Sequence, residues 1–299
     1  METSAIAPGH ITGFFGVYSV PGDYIRTGST GAGFSLERGV STRIRVNRAT
    51  RLRYSVKING KPTADFHVSE RVIQIFAGYA GPFEIEVYHQ SELPIGAGFG
   101  TSAAGALSLA LALDDALKLN LGDRQAAIIA HMAEVTCQTG LGTVAAIEHG
   151  GFEMRLKPGP PGSAQIVRYD RGDSWFVGLC NGVMSTPFML KRLLFLGELN
   201  NRASKLLSDL SLGFTPDNFM IYSREFTETV RLCSDWVKRV LDAGDSAGMR
   251  MSMAMFGETV FTLVDSNAAK DTARMLQRLS KGEGALIVSP LAERGARIG

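Results

Sequence analysis

Residues 94–104, Pro-Ile-Gly-Ala-Gly-Phe-Gly-Thr-Ser-Ala-Ala, set three alternating glycines and two adjacent hydroxyls between a strand-patterned segment and a helix-patterned one. No other stretch of the chain narrows the fold as far. Glycine takes positive φ and lets a backbone approach a ligand closely. The free N–H groups of the next helix's first turn then point at that ligand, where the helix dipole favours an anion. Thr101 and Ser102 add hydroxyls suited to a phosphate oxygen or Mg²⁺, and the alanines let the helix pack tightly on a sheet. The spacing is not a Walker A loop, which needs Gly-Lys-Ser/Thr, nor the dinucleotide fingerprint. A phosphate-binding loop is therefore expected, formed by Pro94, Gly96, Ala97, Gly98, Phe99, Gly100, Thr101, Ser102 and Ala103.

The surrounding pattern is α+β. Residues 33–46 and 52–58 are rich in β-branched and aromatic side chains, and 83–89 alternates, with Phe83, Ile85 and Val87 on one face. Ser69 is expected to cap a short helix through Phe76, and helices are expected at 102–118 and 123–138. Strands are expected at 152–156 and 164–169, joined by a Pro/Gly-rich turn. The segment 169–174 reads as a boundary, giving domains 1–170 and 171–299. Beyond it the pattern predicts a strand at 175–179 and a helix from Thr215-Pro216-Asp217 to about 243. A helix at 245–256, a strand at 259–264, a helix at 268–281 and a strand at 285–288 complete the pattern.

Composition removes several function classes. The chain has 299 residues, 45% hydrophobic and 20% charged, as a folded protein of two ordinary domains would have. A net charge of +2 suggests no nucleic-acid partner, while a locally basic pocket can still take a small anion. Cys137, Cys180 and Cys233 match no zinc spacing and suit a reducing cytoplasm as small apolar residues. The N-terminus lacks the marks of a secretory signal. The apolar run at 103–113 is too short to span a membrane, so no membrane partner is expected.

The loop resembles the second motif of the GHMP kinases, the superfamily of galactokinase, homoserine kinase and mevalonate kinase. Pro8-Gly9-His10 resembles the first motif, and residues 255–261 the third, in the expected order. The resemblance implies an N-terminal domain like ribosomal protein S5 domain 2, a ferredoxin-like C-terminal domain, and ATP between them. Segments 8–15, 28–40, 130–135, 139–146 and 150–162 are similar to the archaeal pantoate kinases, a GHMP branch. That branch phosphorylates pantoate to 4-phosphopantoate with ATP in archaeal coenzyme A biosynthesis. Another GHMP kinase, of homoserine or mevalonate type, and a non-catalytic metabolite-binding protein on the same fold are the alternatives. A homodimer is left open.

The resemblance also assigns residues. Glu134, with Ser102, would ligate Mg²⁺. Ser29, His131 and Arg155 would bind the acceptor, Arg155 by gripping its carboxylate with a planar fork. His10 and Arg26 are further candidates. His131, Glu134 and Gln138 fall on one side of their helix beside an apolar stripe of Ile128, Met132 and Val135. Thr143 stands where pantoate kinases usually carry an aspartate able to deprotonate the attacking hydroxyl. Three readings follow: the reaction needs no strong base, another group serves, or catalysis is lost. Glu148 and His149, just beyond, are candidates for a replacement base.

Overall fold

The computed structural model describes residues 1–64, 66–183, 198–230 and 233–299, which build two sheets with helices packed on them. The first sheet contains β1 (Glu2–Tyr18), β2 (Gly28–Arg48), β3 (Arg53–Ile58), β4 (Lys61–Pro62), β5 (Phe83–Ser91), β6 (Phe152–Lys157), β7 (Gln165–Tyr169) and β12 (Arg297–Ile298). Its order is β12-β1-β2-β5-β3-β4, with β6 on β2 and β7 on β6. The second sheet contains β8 (Ser174–Val183), β9 (Ser252–Met253), β10 (Gly257–Asp265) and β11 (Ala285–Pro290), in the order β11-β8-β10-β9.

One edge of β2 is shared. Residues 31–34 pair with β6 and residues 40–48 with β5, so the sheet forks between them. Helices α1 (His67–Ala80), α2 (Thr101–Leu117), α3 (Asp123–Cys137) and the short α4 (Thr143–Ile147) belong to this half. α5 (Leu199–Ser211), α6 (Pro216–Val230), α7 (Asp235–Ser246) and α8 (Ser266–Leu279) follow. α2 is apolar nearly all round because it lies in the middle of the packed layer, buried from Ala103 to Leu113. Phe34 meets Phe152, Phe219 and Phe261 edge-on at 5.6–5.7 Å, joining the two sheets through one aromatic core. Each such ring pair contributes about 0.5–1.5 kcal/mol beyond area burial.

Local pattern and structure disagree in three places. The helix expected from 215 to 243 is two helices, α6 and α7. Thr215 caps the first as expected, its Oγ1 accepting from Asn218 N at 3.0 Å. Ser234 opens a second helix by accepting from Val237 N at 3.3 Å. The helix expected at 245–256 does not form: α7 stops at Ser246, and β9 pairs with β10. Residues 251–255 are buried without a break, so no helical stripe singles out one face. Ser69, expected to cap α1, lies inside its first turn instead; the N-cap is Phe66, with no side-chain bond. The 28–33 segment opens β2, where a Cβ on Gly31 would stand 2.1 Å from Phe14 O.

A buried polar chain ties α1, β5, β2 and α2 together. His89 Nε2 lies 3.0 Å from Ser69 Oγ, and Nδ1 lies 2.7 Å from Thr42 Oγ1. Thr42 Oγ1 lies 2.6 Å from Ser108 Oγ, which donates to Ala104 O at 2.8 Å. A neutral imidazole carrying its proton on Nδ1 satisfies every member, and burial lowers the His89 pKa from 6.5 to about 4. The folded value lies below the unfolded one, so this stability is intact above about pH 6.5 and drains away as pH falls toward 4. The loss amounts to about 3 kcal/mol. His89→Gln should therefore narrow its melting-temperature deficit against wild type between pH 7 and pH 4, as calorimetry at both pH values would show.

All three cysteines are free, Cys180 buried and the other two half-buried. Among the described residues no helix is long and apolar enough to cross a membrane.

Candidate active site

The 94–104 loop is held from three directions. Gly96, Gly98 and Gly100 have φ of +78°, +88° and +62°, conformations that carry no penalty only for glycine. Gly100 is the N-cap of α2 without a side-chain cap, so the amides of residues 101–103 are left free of intrahelical carbonyls. Phe99 O accepts from His10 N at 2.9 Å, and Ala97 O accepts from Thr259 Oγ1 at 2.8 Å. Met255 N donates to Thr12 O at 3.2 Å. Segments 8–10, 94–104 and 255–261 thus meet at one loop. Gly257 is the tightest contact: a Cβ there would stand 1.9 Å from Ala97 O. Gly257→Ala must push the loop aside at a cost of about 1–3 kcal/mol. Both a lower melting temperature and a raised KM for the phosphate donor are expected, and an unchanged KM would mean the loop does not hold the donor.

A cavity of about 690 Å³ opens on this loop. Gly96, Gly98, Phe99, Gly100, Thr101, Ser102 and Ala103 line it, whereas Pro94 and Ala97 do not. On its wall Glu134, 2% exposed, accepts from Ser102 Oγ at 2.5 Å and from Thr139 Oγ1 at 2.8 Å. No cationic side chain among the described residues pairs with this carboxylate, and burial raises its pKa. A desolvated carboxylate beside a hydroxyl, next to the glycine-rich loop, is a donor set that fits a hard divalent cation.

Ser29, Arg155 and Thr143 line the same cavity. Arg155 is 2% exposed and its Nη1 donates to Glu153 Oε1. Its Nε is buried without a partner. A Cβ placed on Gly142 would meet Ser29 Oγ at 2.0 Å and Arg155 Nε at 3.1 Å, so the three converge. Buried N–H groups are nearly always paired. One aimed beside a serine hydroxyl in a cavity calls for an acceptor from a ligand, and a carboxylate suits it. Thr143 begins α4 against Gly100, whose Cβ position is 2.8 Å from Thr143 Cγ2.

Several expected residues are placed otherwise. His131 is not on the cavity wall; its Nε2 lies 3.1 and 3.2 Å from the carbonyls of Tyr24 and Thr27. It braces the turn that delivers Ser29. Arg26 is solvent-exposed and bound to Asp23 at 2.5 Å. Glu148 is half-buried, its pKa raised by burial, and His149 is exposed; neither lines the cavity. Gln138 is exposed at the end of α3, and Ile128, Met132 and Val135 are only half-buried. The buried face of α3 is made of small residues and Ile129, and His131 and Glu134 lie within it rather than at its border. Sequence reasoning missed two features. One is Glu153, buried beneath Arg155 and 3.0 Å from His10 Nε2. The other is an apolar slot in the cavity, walled by Ile58, Phe66 and Val68. Alternation in 152–157 was the one available signal for Glu153, which shares a strand face with Arg155.

Known proteins resemble this chain along most of its length. The family pattern described as GHMP kinases N terminal domain matches residues 67–151, and GHMP kinases C terminal matches residues 205–281. The pantoate kinase of Methanocaldococcus jannaschii is 29% identical over 272 residues, spanning 91% of this chain and 96% of that one. The pantoate kinase of Methanospirillum hungatei is 32% identical over 268 residues, spanning 88% of this chain and 87% of that one. A solved structure described as a phosphotransferase related to the CoA biosynthesis pathway superposes with a TM-score of 0.86 at 28% identity, covering 100% of this chain and 99% of its own. With both family patterns matched and relatives aligned along nearly their whole length, the chain belongs to the GHMP kinases.

Proposed function

We propose that this protein transfers the γ-phosphate of ATP to the primary hydroxyl of pantoate, forming 4-phosphopantoate for coenzyme A biosynthesis. The observation that carries the reading is the buried Arg155, whose unpartnered Nε stands beside Ser29 in a cavity continuous with the phosphate loop. That geometry asks for an acid-bearing acceptor next to a triphosphate, and the relatives are pantoate kinases.

The amides of residues 101–103 and the turns at Gly96, Gly98 and Gly100 hold the phosphates, and the slot at Ile58, Phe66 and Val68 takes the purine. Ser102 and Glu134 would hold Mg²⁺, which neutralises charge on the phosphate oxygens. Arg155 and Ser29 fix the acceptor carboxylate and so aim its hydroxyl at the γ-phosphorus. Phe15, Leu141 and Phe256 supply apolar wall that limits water. Phosphoryl transfer draws most of its acceleration from such positioning and charge stabilisation. The division into domains 1–170 and 171–299 is supported by the separate sheets, although β12 returns to the first. A cytoplasmic location completes the reading.

Coupled ADP release with pantoate, homoserine and mevalonate, each with and without Mg²⁺, tests it. Turnover is expected with pantoate and Mg²⁺ together. Turnover with another acceptor alone would replace pantoate, and thermal stabilisation by ATP without ADP release would make the protein a binder.

A further inference from the structure

We propose that His10 is the proton acceptor of this site and that Glu153 positions its imidazole, an inference that rests on the kinase reading above. His10 and Thr12 sit on one face of β1, and both line the cavity. Thr12 pairs with Gly33 on β2, and Gly33 with Glu153 on β6. The His10 ring reaches Glu153 by crossing Gly33, where a Cβ would stand 2.6 Å from both Cε1 and Nε2. A glycine is what leaves that crossing open.

His10 and Glu153 are each 1% exposed, with Nε2 and Oε1 3.0 Å apart. The same oxygen accepts from Arg155, so the carboxylate is the acceptor and Nε2 carries the proton. Nδ1 is thereby left with its lone pair. Thr12 Oγ1 stands 3.4 Å from it, a long hydrogen bond that a substrate hydroxyl reaching Nδ1 would have to replace. Burial lowers the His10 pKa, which keeps the ring neutral before reaction.

The location is appropriate. The Gly100 Cβ position lies 3.2 Å from His10 Cβ and 2.8 Å from Thr143 Cγ2, so the two side chains flank the start of the phosphate-loop helix. Rival bases lining the cavity are engaged or distant. Arg155 accepts nothing. Glu134 is held by Ser102 and Thr139. His89 is bonded at both ring nitrogens, and its Thr42 partner on β2 is eleven positions from Gly31, which pairs with Arg155. His67 opens α1, the helix whose Ser69 bonds His89. Cys137 has a thiol pKa raised chiefly by burial.

In the step, the acceptor oxygen bonds to the γ-phosphorus as the bond to the β–γ bridging oxygen breaks, its electron pair leaving on ADP. The hydroxyl proton passes to His10 Nδ1. The resulting imidazolium is stabilised through Nε2–H by Glu153 and by the phosphate charge, and returns its proton to solvent after product leaves.

Two measurements test this. His10→Gln keeps a donor for Glu153 but has no base, and kcat should fall about 10²–10⁴-fold with both KM values nearly unchanged. A loss confined to the pantoate KM, or an unchanged kcat, would overturn the assignment. Long-range ¹H–¹⁵N NMR of the full chain with a non-hydrolysable ATP analogue reads the tautomer directly. The His10 ring, assigned by its disappearance in His10→Gln, should be the Nε2–H form, and Glu153→Leu, which fills the space but offers no acceptor, should lose that preference, which a merely space-filling Glu153 would not. An Nδ1–H ring overturns the proposal whatever the acceptor proves to be. Failure of the wild type to turn over pantoate, by contrast, overturns only the acceptor assignment.

Discussion

Glutamine in place of Glu134 is expected to abolish most of the activity while leaving the fold at least as stable. The side chain is buried, no cation among the described residues pairs with it, and its pKa is raised chiefly by desolvation. The amide is nearly the same shape and still accepts from Ser102 and Thr139, but it carries no charge to hold Mg²⁺. A metal clamp on transferring phosphate oxygens is worth several kcal/mol. A loss of about 4 kcal/mol corresponds to about 10³ in kcat. Stability moves the other way. The folded carboxyl titrates above its unfolded value, so the penalty for ionising it in the fold is absent at low pH. It develops as pH rises from the unfolded toward the folded value. Without nucleotide, Glu134→Gln should therefore melt at or above the wild-type temperature at neutral pH, and the difference should close as pH falls. Calorimetry across pH, alongside kcat at saturating Mg²⁺, checks both halves. A kcat within tenfold of wild type would remove Glu134 from the metal site.

Arg155→Ala should raise the pantoate KM by about 10–10²-fold, the worth of hydrogen bonds to a charged group. The KM for ATP should hardly change. The substitution also strips Glu153 of its cation, and an uncompensated buried charge costs about 3–5 kcal/mol of stability. Arg155→Lys separates the two effects. Lysine keeps a charge for Glu153 but lacks the planar fork, so it should restore most of the melting temperature and little of the acceptor affinity. Acceptor kinetics and thermal melts of the two variants give the comparison. A pantoate KM unchanged in both would place the carboxylate elsewhere.

The parts of the site that local chemistry specifies were legible in the chain. Alternating glycines before an alanine-rich helix can hardly do anything but turn with positive φ and present amides, and all three do so. Glu134 meeting Ser102 followed from the resemblance, and the two helices that carry them bring the side chains to 2.5 Å. Alternation placed Arg155 on a strand, opposite Met154 and Leu156.

What the chain alone left undecided depends on register and burial. The Met251, Met253 and Met255 run suits either period until β10 offers an edge to pair with. His131 reads as a cleft residue until the carbonyls of Tyr24 and Thr27 capture it. The His10–Glu153 pair joins residues 143 positions apart and exists because β1, β2 and β6 stack Thr12, Gly33 and Glu153 in one row. The fork in β2 likewise separates Arg155 from the His89 chain. Sequence sets backbone conformations and hydrogen-bonding types within a few residues, because those energies are local. Which distant polar groups are buried together, and so how each one titrates, is set by strand register and helix docking, which arise only when the whole core closes.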